Sequence, residues 1–122
     1  RNLGREIAIE RIENSAKAGT PDTLVLHKGR VTFVEHKTAT LPAKTTTKLQ
    51  WRHKLTPQQR NWHRECHQNG GDSYIVVGIG KSLYAVPGRL VDEVNDMTYE
   101  KIVPWTIDMK MLGQLYKKEF TK

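Results

Sequence analysis

Asp22, Glu35 and Lys37 are the residues whose types and spacing could do chemistry together. They lie in the stretch GTPDTLVLHKGRVTFVEHK, residues 19–37. Two apolar-rich runs, 23–27 and 30–37, flank Lys28-Gly29, a pattern that predicts a β-hairpin with a tight turn. A two-residue turn makes His27 face Arg30, Leu26 face Val31 and Leu24 face Phe33, and it sets Asp22 opposite Glu35. The period of two along each strand then gathers Leu24, Leu26, Val31 and Phe33 on one face, with Asp22, Glu35 and Lys37 at its open end. Directly opposed residues have Cβ atoms about 5 Å apart. Like charges at that separation repel by roughly 3 kcal/mol at an effective dielectric of about 20. A divalent cation between the two carboxylates converts that repulsion into coordination, since hard cations take carboxylate and carbonyl oxygens. The competing reading is an ordinary Glu35–Lys37 ion pair on a strand surface, with Asp22 a turn residue after Pro21.

A third carboxylate could come from the N-terminal segment. Residues 6–10 alternate like a strand, and a strand is expected near residues 7–13. Glu6, Glu10 and Glu13 each could join the site, and each taken singly also fits a solvated surface. His63, Cys66 and His67 could be examined as zinc ligands, but Cys66 points away from the i, i+4 histidine pair and no second cluster completes four ligands. A core cysteine with surface histidines is the reading adopted.

The elements that position these residues follow from turns and caps. Leu55-Thr56-Pro57-Gln58-Gln59 opens a helix, with Thr56 as N-cap, Pro57 at the first position and Gln59 closing a capping box. The helix is expected to run to about Asn69 and stop at Gly70-Gly71, with Trp62 and Cys66 facing the core and Arg60 and Arg64 forming a basic stripe. A β-branched run at 73–79 and a second at 82–86 are strands joined at Gly80-Lys81, followed by a helix at 89–95. Met97 onward is expected to be mainly helical, with Ile107, Met111, Leu112, Leu115, Tyr116 and Phe120 as an amphipathic stripe. Residues 38–54 have no clear period and read as a long loop. That loop carries Lys44, Lys48, Arg52, His53 and Lys54 around Trp51, a mixture suited to phosphate contact with base or sugar stacking, or to a solvated arm.

The chain has 20 Lys+Arg against 13 Asp+Glu, a net charge of +7 that favours a polyanionic partner, nucleic acid first. At 122 residues it is expected to form a single domain, with a core at about 6–96 and a helical extension at 97–122. No apolar run is long enough to span a membrane, and the Gly78-Ile79-Gly80 spacing is wrong for a nucleotide fingerprint. The one cysteine rules out an internal disulfide framework and suits a reducing cytoplasm.

Gly19-Thr-Pro-Asp22 followed by Phe33-Val-Glu35-His-Lys37 resembles the PD-(D/E)xK nuclease signature. Leu55-Thr-Pro-Gln-Gln59 with Trp62, and Gly70-Gly71 before a hydrophobic strand, narrow the likeness to the VRR-NUC branch, in particular its small phage and prophage nucleases. The likeness covers residues 12–86. It implies an α/β restriction-endonuclease-like fold, a central mixed β-sheet flanked by helices. It also implies a DNA endonuclease dependent on Mg²⁺ or Mn²⁺. By that resemblance Asp22, Glu35 and the backbone carbonyl of His36 hold the metal. Lys37 orients the attacking water or steadies the phosphate charge, and Gln59 lies near the site. Glu13 matches the N-terminal acidic ligand best and Glu10 second. The branch carries a hydrophobic residue where this chain has His36, and its N-terminal helix is short or absent here. Lys44, Lys48, Arg52, Lys54, Arg60 and Arg64 are the expected DNA contacts. Cutting of branched DNA by a homodimer is implied by analogy alone. A DNA-binding module that has lost catalysis, and RNA as substrate, are the other readings.

Overall fold

The computed structural model describes residues 7–11 and 19–107. Its centre is a seven-stranded mixed sheet. The strands are β1 (Ile7–Arg11), β2 (Thr23–His27), β3 (Arg30–Thr40), β4 (Gln50–Trp51), β5 (Asp72–Ile79), β6 (Ser82–Pro87) and β7 (Thr106–Ile107). Their order is β1-β2-β3-β5-β6-β7, with β4 paired to the far end of β3. Among the described residues only the β3–β5 pairing is parallel. The connection that makes it parallel contains helix α1 (Pro57–Gln68), as a crossover between parallel strands requires.

The hairpin forms as the sequence predicts. Leu24 pairs with Phe33, Leu26 with Val31 and His27 with Arg30. Lys28 (φ 49°) and Gly29 (φ 80°) both adopt positive φ, the geometry that lets a two-residue turn match the twist of its strands. Helix α1 begins with the full capping box: Gln59 N–H donates to Thr56 Oγ1 at 3.0 Å, and Thr56 N–H donates to Gln59 Oε1 at 2.9 Å.

Both sheet faces are buried at the centre, as befits strands in parallel pairing. On one face Ile75, Val77, Tyr84 and Val86 pack with Leu49, Leu55, Val91, Val94, Met97 and Ile102. The helices covering this face are α1, α2 (Val91–Val94) and α3 (Tyr99–Ile102). Phe33 meets Trp62 of α1 edge to face, ring centroids 4.9 Å apart.

Three expectations need correction. Residues 38–54 are not all loop: β3 continues to Thr40 and β4 returns to pair Ala39 with Trp51. The interleaved threonines hid this, because exposed edge positions carry no apolar period. The helix expected at 89–95 is a 3₁₀ turn (Gly88–Leu90) running into the single-turn α2. Residues 97–107 hold α3 and a 3₁₀ turn (Val103–Trp105) as expected, but they end in a strand: Met97 and Ile102 are core, and Thr106–Ile107 joins the sheet beside β6. Ile107 therefore belongs to a strand rather than to a helical stripe, and the rest of that stripe lies outside the described residues. Glu6 and Glu13 also lie outside them.

Candidate active site

β2 and β3 part company just where the chemistry collects. The β2 ladder ends at Thr23–Val34, while β4 joins β3 only at Ala39, preceded by a bond from Arg52 N–H to the Thr38 carbonyl at 2.9 Å. Between these points the edge of β3 at residues 35–37 has no strand neighbour on that side among the described residues. Asp22 stands at this gap, in the bend before β2. Its Oδ1 accepts from Thr23 Oγ1 at 3.1 Å and lies 3.0 Å from His36 Nδ1. The backbone N–H of His36 also donates to the Asp22 carboxylate. Burial pushes Asp22 towards the neutral form, but the bonds and charge from His36, with Thr23, outweigh it and hold the carboxyl below its ordinary value.

Glu35 is next to it and only 5% exposed. Burial, and then the Asp22 charge, push its carboxyl up to about 7, against smaller opposing effects of Lys37 and His36. Gln59 Nε2 approaches Glu35 Oε2 at 3.4 Å, a long bond. Glu35 Oε1 is buried without a hydrogen-bond partner among the described residues. A buried carboxylate oxygen left open beside a second carboxylate is a donor set that a hard divalent cation fits. It is a partial set: no three His, Cys, Asp or Glu side chains converge among the described residues. Glu10 pairs with Leu24 in the β1–β2 register, one pair from the end of the hairpin ladder that leads to Asp22. Lys37, half-buried, follows Glu35 on the same face of β3.

The Asp22 loop is brought to helix α1 by Gly19. Its φ is +90°, and a Cβ there would overlap the Gln58 carbonyl and crowd the Gln59 amide. Gly19→Ala is expected to cost at least about 2 kcal/mol through strain and overlap. It should also displace Asp22 from Glu35, seen as a lowered melting temperature together with lost cleavage.

The basic residues are not equivalent. Lys48 Nζ pairs with Asp96 Oδ1 at 3.1 Å, and Arg64 is paired with Asp92. Lys54 and Arg60 also lie close enough to Asp96 to help hold its carboxyl below the ordinary value, after the larger effect of Lys48. Arg60 is half-buried, its Nε enclosed without a partner among the described residues, so the stripe expected with Arg64 is partly inside the fold. Lys44 and Arg52 are exposed.

The helix faces also differ from expectation. Cys66 and Trp62 are only partly buried, and the fully buried residue of α1 is His63. Its Nδ1 lies 2.7 Å from Ser73 Oγ, joining α1 to β5, and its Nε2 has no partner among the described residues. Burial depresses its pKa to about 4, so it is neutral. The packing around this pair is tight, since a Cβ on Gly88 would overlap Ser73 Oγ. No helical period could pair His63 with Ser73.

This is the restriction-endonuclease-like α/β fold, a mixed sheet flanked by helices with a carboxylate pair at the open edge of β3. Among solved structures it is similar to Hjc, a Holliday junction resolvase from the archaeal hyperthermophile Archaeoglobus fulgidus. The TM-score is 0.57 at 10% identity, over 88% of this chain and 87% of that one. At that identity the likeness is one of fold. No family model and no curated protein matches the sequence. Among the described residues no helix is long and apolar enough to cross a membrane.

Proposed function

We propose that this chain is a metal-dependent endonuclease that hydrolyses DNA phosphodiester bonds. The observation that carries the reading is Glu35, buried beside Asp22 with one oxygen unpartnered and its carboxyl pushed up to about 7. Asp22 and Glu35 would hold Mg²⁺ or Mn²⁺, with the His36 carbonyl on the open edge of β3 and Glu13 or Glu10 as the further carboxylate. A cation bound there supplies polarisation of the phosphoryl oxygen and a lowered pKa for water. Lys37, on the same face of β3, would orient the attacking water or steady the charge that develops on the phosphate. Gln59, fixed by its capping role, keeps Glu35 Oε2 turned towards α1. The signature residues resemble those of VRR-NUC-like nucleases of phage type, and the likeness in fold to a resolvase makes branched DNA cut by a homodimer the first substrate to try.

The test is cleavage of labelled single-stranded, duplex and four-way-junction DNA with Mg²⁺, Mn²⁺ or EDTA, comparing wild type with Asp22→Ala. Metal-dependent cutting lost in the variant is expected. Salt-sensitive binding without cutting under any condition would replace the nuclease by a binding module.

Phosphate contacts should come from basic side chains that, among the described residues, form no direct ion pair with a carboxylate. Lys44→Ala with Lys54→Ala is expected to weaken DNA binding and reduce the log–log salt slope by about 2, near 0.9 per contact. Lys48→Ala should change it less, because Asp96 already neutralises that ammonium. Equal slopes for wild type and the double variant would remove these lysines from the interface.

A further inference from the structure

We propose that His36 is a positioning residue that sets the Asp22 carboxylate for cation binding, an inference that rests on the metal reading above. Asp22 lies in a bend outside every strand ladder, so no ladder fixes its backbone. Of the described side chains recorded on its carboxylate, Thr23 is its immediate neighbour and moves with it. His36 is the anchor from elsewhere in the chain. It sits on β3, held on the opposite side by parallel pairing with Val76 of β5. It grips Asp22 twice, through its backbone N–H and through Nδ1 at 3.0 Å from Oδ1.

Chemistry fixes the direction of that second bond. An ionised carboxylate only accepts, so Nδ1 carries the proton and donates. His36 and Glu35 are successive residues and project to opposite faces of β3. Asp22, standing in the gap where β2 has left the sheet, is reached by both. His36 therefore restrains the carboxylate from the side away from Glu35. Hydrogen-bonding partners of ligating carboxylates orient the ligand, and losing one costs about 10–100-fold in metal affinity. The two side chains are 47% and 41% exposed, so the bond exchanges readily with water and adds little to stability. The effect belongs in metal affinity rather than in melting temperature.

The test is calorimetric titration of the intact chain with Mn²⁺, without DNA, for wild type, His36→Phe, His36→Asn and Asp22→Ala. His36→Phe keeps the ring and loses the donor; His36→Asn keeps a donor near the Nδ1 position. Binding weakened about 10–100-fold in His36→Phe and restored to within about threefold in His36→Asn is expected, with metal-free melting temperatures unchanged. Wild-type affinity in His36→Phe, or His36→Asn as weak as His36→Phe, would overturn the assignment while loss of binding in Asp22→Ala keeps the metal reading standing. Equal titrations for wild type and Asp22→Ala would overturn both.

Discussion

Glu35→Gln is expected to abolish cleavage and at the same time make the metal-free protein more stable. Loss of activity by roughly 10³-fold or more follows from removing the charged oxygen that the cation and the developing phosphate charge require. The gain in stability follows from linkage. The folded-state pKa, about 7, lies above the ordinary 4.5, so the folded protein holds this proton more tightly than the unfolded chain. Stability from this group is therefore full below pH 4.5 and is lost as pH rises through 7. The loss is on the order of 2–3 kcal/mol at pH 8, taking about 1.4 kcal/mol per pKa unit and allowing for some solvent access. Glutamine fills the same space without the charge. Its melting temperature should exceed that of wild type by about 5–10 °C at pH 8 and match it near pH 4.5. Thermal melts at the two pH values in EDTA decide this. Equal melting at pH 8, or retained cutting, would remove Glu35 from the site.

The same residue shows what the sequence could and could not disclose. Lys28-Gly29 set the hairpin register, because a two-residue turn with two positive φ values leaves one way to pair the strands. Asp22 beside Glu35 followed from that register. The capping box around Thr56 and Gln59 is equally local, and it formed as written. What stayed hidden depends on contacts between distant elements. The hydrogen bond from His36 to Asp22 exists because β2 begins only after Asp22, so its ladder stops at Thr23–Val34 while β3 continues, and no local pattern marks where a partner strand stops. β4 is two residues long and could not show a period of two. The edge strand β7 follows a proline-containing 3₁₀ turn, and its sheet partner, β6, is separated from it by α2 and α3.

His63 was equally illegible, and it carries the second large effect. Its hydrogen-bond partner Ser73 offers only a hydroxyl and burial is what shifts it, so among the described residues no charge compensates protonation of a side chain with no exposed surface. Its folded-state pKa, about 4, lies below the ordinary 6.5, so the unfolded chain takes up the proton first on acidification. Its contribution is full above pH 6.5 and falls by about 3 kcal/mol as pH drops to 4. Glu35 has the opposite slope over 4.5–7. In wild type the two slopes, each about 1.4 kcal/mol per pH unit, offset one another between 4.5 and 6.5. Asp22, held below 3.8, titrates under that window. Wild type in EDTA should therefore show nearly flat stability from pH 4.5 to 6.5. Glu35→Gln should unmask the histidine, its stability rising by about 3 kcal/mol between pH 4 and 6.5. Adding His63→Gln should cost about 2–3 kcal/mol at pH 7 through lost packing and should level that rise. Denaturant melts of the three proteins across this range test the account. A slope that survives in the double variant would place the titration elsewhere, whereas a slope already present in wild type would mean that Glu35 is ionised in the fold at low cost, and with it would go the argument that the carboxylate pair is strained until a cation arrives.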